Sequence, residues 1–321
     1  MIELHLHLDG SLSAEELGVI KQKFYRGEEI PFSPVRFDGR GGLPGYLQCF
    51  RYPLSLLRKP ESVYFAIKTL SERLHSEGVK YCEIRFAPAL SKGKATIGEI
   101  ADAAEAAVWE LNGEGIYTGV IFCCMRGADI AENMSVAKLV AEKVANGKGV
   151  VGADLAGDEG GYPNSGYAKL FAFFREAGVP FTVHAGEARG AESVRAAIRF
   201  GADRIGHGVA AARDPYTADM MRDRGVPAEM CYTSNLQTGA WSSRLGEYPL
   251  RKFMQNGIKV SLNSDNTAVS DTNLKKEYAL LKITEKEAAV LYLNALEAAF
   301  PNAAAAAFFD KAESMRTFGI K

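Results

Sequence analysis

Apolar and polar positions follow two rhythms along this chain. Eight short runs rich in β-branched and apolar residues begin at Ile2, Val79, Thr118, Val150, Phe181, Arg204, Val226 and Ile258, and each has the length of a strand. Between them apolar residues recur at helical spacing over Glu61 to Ser76, Thr96 to Asn112, Ile130 to Asn146, Tyr167 to Ala177 and Glu192 to Phe200. Strands alternating with helices call for a parallel sheet, because parallel neighbours need a crossover between them. Eight such units predict an α/β fold of the closed (β/α)8 type, a TIM barrel, with its chemistry at the C-terminal ends of the strands. One connection breaks the rhythm. About 70 residues separate Gly10 from Val79, and they hold the turn Asp38-Gly-Arg-Gly-Gly followed by apolar Leu43, Tyr46, Leu47 and Phe50. Barrel closure needs no such length, so the segment from about 11 to 78 is expected to insert a helical lid over the mouth. The Ala-rich tail, Thr284 to Phe309, has a helical pattern and no sign of a second domain, so residues 1–321 read as one domain.

Composition narrows the function classes. The chain is 47% hydrophobic and 24% charged, and its 38 basic and 39 acidic residues leave a net charge of -1. Without a long basic run there is no electrostatic reason to expect a nucleic-acid or membrane partner. No apolar run approaches the ~18 residues of a membrane span. The opening Met1-Ile-Glu-Leu-His lacks the basic and apolar parts of a secretory signal, so a cytoplasmic protein is expected. Five cysteines (Cys49, Cys82, Cys123, Cys124 and Cys231) form no CxxC spacing, and their odd number fits buried free thiols in a reducing compartment. Oligomeric state leaves no mark in the sequence.

The histidines carry the chemistry. Of five, four fall at or just beyond predicted strand ends: His5 and His7 on the first strand, His184 after the fifth and His207 after the sixth. Residues i and i+2 of a strand share a face, so His5 and His7 can turn inward together on one ion. The pair alone does not separate ligands from core residues; His184, and Asp265 at the end of the eighth strand, do. Three imidazoles and a carboxylate, with a position left for water, suit a catalytic zinc. The stretch Asp154-Leu-Ala-Gly-Asp-Glu ends the fourth strand and has no lysine to bridge two metals, which leaves one Zn2+ per chain. Iron or cobalt would accept the same ligands. His75, in the helical run Leu70-Ser-Glu-Arg-Leu-His, reads as a surface or packing residue.

Six stretches together carry a resemblance: His5-Leu-His-Leu-Asp-Gly-Ser, Asp154-Leu-Ala-Gly-Asp-Glu, His184-Ala-Gly-Glu, Ile205-Gly-His-Gly, Thr233-Ser-Asn and Ser261-Leu-Asn-Ser-Asp. As a set they resemble the adenosine deaminases of the amidohydrolase superfamily, and they span the barrel from first strand to last. The resemblance implies hydrolytic deamination of adenosine or 2'-deoxyadenosine to inosine or 2'-deoxyinosine and ammonia, a purine-salvage reaction on a small-molecule nucleoside. It implies that His5, His7, His184 and Asp265 ligate zinc, that Glu187 protonates purine N1, and that His207 orients and deprotonates the attacking water, with His207 or Asp265 relaying a proton to the leaving ammonia. Independent chemistry agrees, because attack at C6 breaks ring aromaticity and is eased by a proton at N1. For the substrate it implies Asp9 at the ribose hydroxyls, with His7 beside it, the Gly157 N–H at N3, and Tyr46, Leu47 and Phe50 as an apolar wall. Helix capping for Asp9 and core packing for the three apolar residues are the alternative roles.

Two positions depart from the family pattern. Asn266 stands where many members have a second aspartate, and its amide is expected to donate to N7 with no pKa shift. Tyr232 stands where proline is often found. Deamination of adenine, or of a modified nucleoside such as 5'-methylthioadenosine, uses the same machinery and remains the alternative. A vestigial nucleoside-binding protein would have lost a ligand, Glu187 or His207, and all are present. A metal hydrolase acting on an ester or cyclic amide would have no use for the acid at Glu187.

Overall fold

The computed structural model describes residues 1–91 and 93–317, without the side chains of Leu43, Pro44 and 313–317. Strands β1 (Ile2–His7), β2 (Tyr81–Phe86), β3 (Thr118–Met125), β4 (Val150–Ala156), β5 (Phe181–Ala185), β6 (Arg204–His207), β7 (Ala228–Met230) and β8 (Val260–Leu262) pair in sequence order, all parallel. The ring closes where Leu6 bridges Asp265: the His7 N–H donates to the Asp265 carbonyl at 2.8 Å, and the Asp265 N–H to the His5 carbonyl at 2.9 Å. The chain therefore forms the expected (β/α)8 TIM barrel. Among the described residues no helix is long and apolar enough to cross a membrane.

Five strands begin where the apolar pattern places them, and three begin two residues later, at Tyr81, Ala228 and Val260. The cause is the same each time. Val79, Val226 and Ile258 each follow a glycine, and their N–H groups bond back to Leu74, Met221 and Phe253 carbonyls at 3.0, 2.9 and 2.9 Å. An apolar residue after a helix-ending glycine closes the preceding helix and does not open the next strand. The expected helices agree more closely: Pro60–Ser76, Ile97–Gly113, Ala168–Glu176 and Ala191–Phe200 are within a residue of expectation, and Ile130–Asn146 matches it. Capping boxes at Thr96/Glu99 and Thr284/Glu287 mark starts the side chains themselves enforce.

The long first connection divides in two. Pro60–Ser76 packs against Ile97–Gly113 in the outer layer, where Tyr64 and Lys68 reach Glu110, as the first helix of a barrel should. The residues before it form the helices Ala14–Phe24, Gly42–Gln48 and Arg51–Ser55, and the latter two border the mouth. At the other end of the barrel the tail is two helices, Glu285–Ala298 and Ala306–Thr317. Pro301 disfavours helical geometry at Phe300, and the freed Phe300 becomes a plug. Its N–H bonds Glu83 at 2.8 Å and its ring lies 3.7 Å from the Arg204 guanidinium, packed against Ile121 and Val151.

Candidate active site at the barrel mouth

Strand alternation turns His5 and His7 toward the barrel axis, and β5 brings His184 to meet them. The Nε2 atoms of His7 and His184 lie 3.2 Å apart, and the Asp265 Oδ1 is 3.5 Å from His5 Nε2 and 3.4 Å from His7 Nε2. Two imidazole nitrogens this close cannot both carry protons toward each other, so at least one presents a lone pair there. His5 Nε2 is fully buried and has no hydrogen-bond partner among the described residues. A buried acceptor facing a carboxylate and two further imidazoles is a donor set for a divalent cation, so the residues fit a metal ion.

Side chains below hold two of these residues in place. Glu229 accepts from His5 Nδ1 at 2.6 Å and Asp154 from His184 Nδ1 at 2.9 Å, which leaves each Nε2 free to bind. Arg85 joins the two carboxylates, at 2.9 Å to Asp154 and 2.9 Å to Glu229, while Arg204 reaches Glu229 and Glu83 at 2.6 Å each. Burial alone would raise Glu229, but the two guanidinium groups outweigh it and hold the group well below the usual carboxylate range. Sequence reasoning missed this layer. Its signal was charge inside strands that are otherwise apolar: Glu83 and Arg85 in Tyr-Cys-Glu-Ile-Arg-Phe, Arg204 and Glu229.

Above the ligands lies a cavity of about 220 Å3 lined by His7, His184, Asp265, Glu187, His207 and Asp9 among others. Glu187 Oε2 is 3.5 Å from His207 Nε2. Burial, then the carboxylates of Asp265 and Glu159, push the Glu187 carboxyl up to about 8. His207 Nδ1 lies 3.0 Å from the Asn235 amide nitrogen, and the Asn235 oxygen accepts from the Tyr248 hydroxyl at 2.8 Å. Tyr248 thus orients the amide, the amide donates to Nδ1, and neutral His207 carries its proton on Nε2, facing the cavity. Tyr232 packs edge-on against Tyr248, ring centroids 5.0 Å apart, which gives the residue a place that its sequence position did not.

The expected substrate-side residues line the same cavity: Asp9, Tyr46, Leu47, Phe50, Gly157 and Asn266. Asp9 lies beyond the strand, because β1 ends at His7, and the expectation that it would continue the strand face of His7 fails: it sits in the helical turn Leu8–Ser11. Its Oδ1 is buried without a partner among the described residues. Gly157 follows β4 at a φ of 98°, and a Cβ there would lie 3.2 Å from the Met125 Cε. Tyr46 and Phe50 pack with Phe37, Cys49 and Val269, whereas Leu47 is 42% exposed and outside any core cluster. Asn266 donates to the Tyr46 hydroxyl at 3.0 Å and to Asp265 Oδ1 at 2.7 Å, so both amide protons are engaged. His75 is exposed on its helix, away from the site.

A sequence profile of the adenosine deaminase family matches residues 1–316. Adenosine deaminase from Haemophilus ducreyi is 40% identical over 321 residues, covering 94% of this chain and 91% of its own. Among solved structures, adenine deaminase from Arthrobacter aurescens superposes with a TM-score of 0.83 at 22% identity, covering 98% of each chain. An amidohydrolase from Burkholderia ambifaria with bound zinc gives 0.79 at 18%, covering 98% of this chain and 92% of its own. The two structures share the barrel, while the profile and the Haemophilus enzyme share the sequence over nearly its whole length, and on these the chain belongs to the adenosine deaminase family.

Proposed function

We propose that His5, His7, His184 and Asp265 hold one zinc ion per chain, with Glu187 and His207 acting on a purine nucleoside seated above it. Family membership makes the chain a metal-dependent enzyme that deaminates adenosine; zinc as the metal, the residue roles and 2'-deoxyadenosine as a second substrate are the reading argued here. The observation that carries it is the convergence of three Nε2 atoms and Asp265 Oδ1 beneath a cavity whose wall holds a buried carboxylic acid.

Zinc bound there supplies Lewis acidity that makes water nucleophilic near neutral pH. Glu187, raised to about 8, keeps its proton at neutral pH and can pass it to N1 as water adds to C6. With Asn235 donating to Nδ1, His207 presents Nε2–H to the cavity. That favours orienting the water and stabilising negative charge on it over deprotonating it. Asp265 can accept the proton that water gives up on adding to C6 and pass it to the amine, which leaves as ammonia, while the second water proton restores Glu187. Asn266 can reach N7 only by releasing Tyr46 or Asp265.

Asp9 favours a ribose. Its buried, unpartnered Oδ1 meets hydroxyl donors that free adenine lacks. No lysine or arginine is among the described residues lining the cavity, so a 5'-phosphate would find no countercharge. Such a substrate places the enzyme in purine salvage. Five buried free thiols support the expected reducing compartment. Ammonia release by metal-loaded enzyme, measured across adenine, adenosine, 2'-deoxyadenosine and 5'-methylthioadenosine, tests the reading. Adenosine and 2'-deoxyadenosine are expected to have the highest kcat/KM; a higher value for adenine would overturn the assignment of Asp9.

A further inference from the structure

Glu159 ends the stretch that begins at Asp154, two residues past Gly157. It is 2% exposed, and it borders the cavity. Its carboxylate accepts from four consecutive backbone amides of one turn: Oε1 from Gly186 at 2.7 Å, and Oε2 from Glu187 at 3.0 Å, Ala188 at 2.7 Å and Arg189 at 3.1 Å. The turn connects β5 to the helix Ala191–Phe200 and has no ladder of its own. Successive N–H groups aimed at one point form an anion site. Here the anion is a side chain of the neighbouring β4 loop.

The second of those four amides belongs to Glu187. Its Cα is therefore fixed from the backbone side, while its carboxyl reaches His207 Nε2 at 3.5 Å. One further tie joins the same loops, Arg189 Nη1 to the Gly160 carbonyl at 2.8 Å, and Arg126, just past β3, reaches the Tyr162 carbonyl of the β4 loop at 2.7 Å and the His184 carbonyl of β5 at 2.6 Å. Gly186 shows how closely the turn is seated. At its φ of 74° a Cβ would lie 2.6 Å from Val194 Cγ2. Among the described residues, Glu159 is the side chain that meets all four amides.

We propose that Glu159 is a positioning residue for the proton donor: its carboxylate gathers the turn of residues 186–189 and so aims Glu187 at the purine ring. The proposal rests on Glu187 being the acid. A purely structural clamp would predict lost stability alone, whereas an aiming role predicts lost turnover that depends on Glu187. The charged and polar groups facing Glu187 are the carboxylates of Asp265 and Glu159, the imidazoles of His207 and His5, and the Thr238 hydroxyl. Glu159→Gln removes one of the two repelling carboxylates, so the alkaline limb of the rate profile is expected to move to lower pH.

The test compares wild type, E159Q, E159D, E187Q and E159Q/E187Q as metal-loaded enzymes, reading kcat, KM for adenosine, bound metal and the alkaline limb. E159Q is expected to lower kcat about 100-fold with KM within about 3-fold and metal content unchanged, the scale of a misplaced catalytic group. In the E187Q background the same change is expected to cost less than about 3-fold, since no acid remains to be aimed. E159D keeps the charge on a shorter stem; it is expected to lose about 10-fold in kcat and to leave the alkaline limb in place. Should E159Q fail to fold, E159D with E159D/E187Q makes the same comparison. Equal losses in both backgrounds, with E187Q itself impaired, overturn the proposal alone. Full activity in E187Q overturns the acid assignment and this proposal with it.

Discussion

His207 and Asp265 each have a φ of 62°, in the left-handed region that side chains disfavour. Such residues cost about 1–3 kcal/mol each, and their coincidence with the site ties strain to function. Sequence could name both residues but not this: Gly206 and Gly208, or Ser264 and Asn266, suggest a turn without marking the residue between them for a positive φ. Glu187 was legible from its spacing to His184, and the environment that raises it was not. A group raised from 4.5 to about 8 on folding contributes stability below pH 4.5 that is lost as pH rises through 8. Glu187→Gln is therefore expected to melt above wild type at pH 9, with the gap closing toward pH 4.5. Its kcat at pH 7 should fall 100-fold or more, roughly the contribution of one proton donor, with metal retained. Asn266→Ala is expected to raise KM for adenosine more than for 7-deazaadenosine; equal changes for both would mean that Asn266 makes no contact with N7.

At the scale of elements, periodicity located every strand and five of the outer helices, though not Pro215–Arg224 or Leu250–Gln255, and erred where a glycine and an apolar residue closed a helix ahead of the next strand. Val79, Val226 and Ile258 look like strand residues because their side chains are buried, yet their N–H groups serve the helix before them. The insertion was visible as excess length, but the part of it that borders the mouth was not, since the Pro60–Ser76 helix has the same amphipathic pattern whether it covers the mouth or the barrel wall. Within the insertion, burial separates two roles that sequence left together. Tyr46 is buried and latched to Asn266 and Ser270, while Leu47 is exposed at the mouth. Leu47→Ala should leave Tm unchanged and raise KM for adenosine several-fold with kcat held. A lower Tm with KM unmoved would make it a packing residue instead.

The whole molecule is a barrel whose two ends do different work. Phe300 and the tail seal the bottom, and the cluster of His5, His7, His184 and Asp265, closed by the β1 bridge to Asp265, sits at the top. Between them runs a buried chain of charges from Glu83 through Arg204, Glu229 and Arg85 to Asp154. Charges inside apolar strands are its only sequence signal, and their pairing is not legible, because the members come from four strands and meet only when the ring closes. Glu229→Gln would leave two buried guanidinium groups short of a countercharge and weaken the hold on His5. It is expected to destabilise the fold by about 3–5 kcal/mol and to lower zinc affinity 10- to 100-fold, read by denaturant melts and chelator competition. An unchanged melt would mean the charges are solvated and the layer is not structural.

The central claim, that four residues from three parts of the chain hold the ion on which deamination depends, meets its most direct test in a titration. Chelator-stripped protein is titrated with zinc while adenosine deamination is followed. The rate should rise from near zero in a straight line and break at one zinc per chain in wild type, with no rise in His5→Ala or Asp265→Ala. Full activity in the stripped protein, or a titration unaffected by those two substitutions, would contradict it.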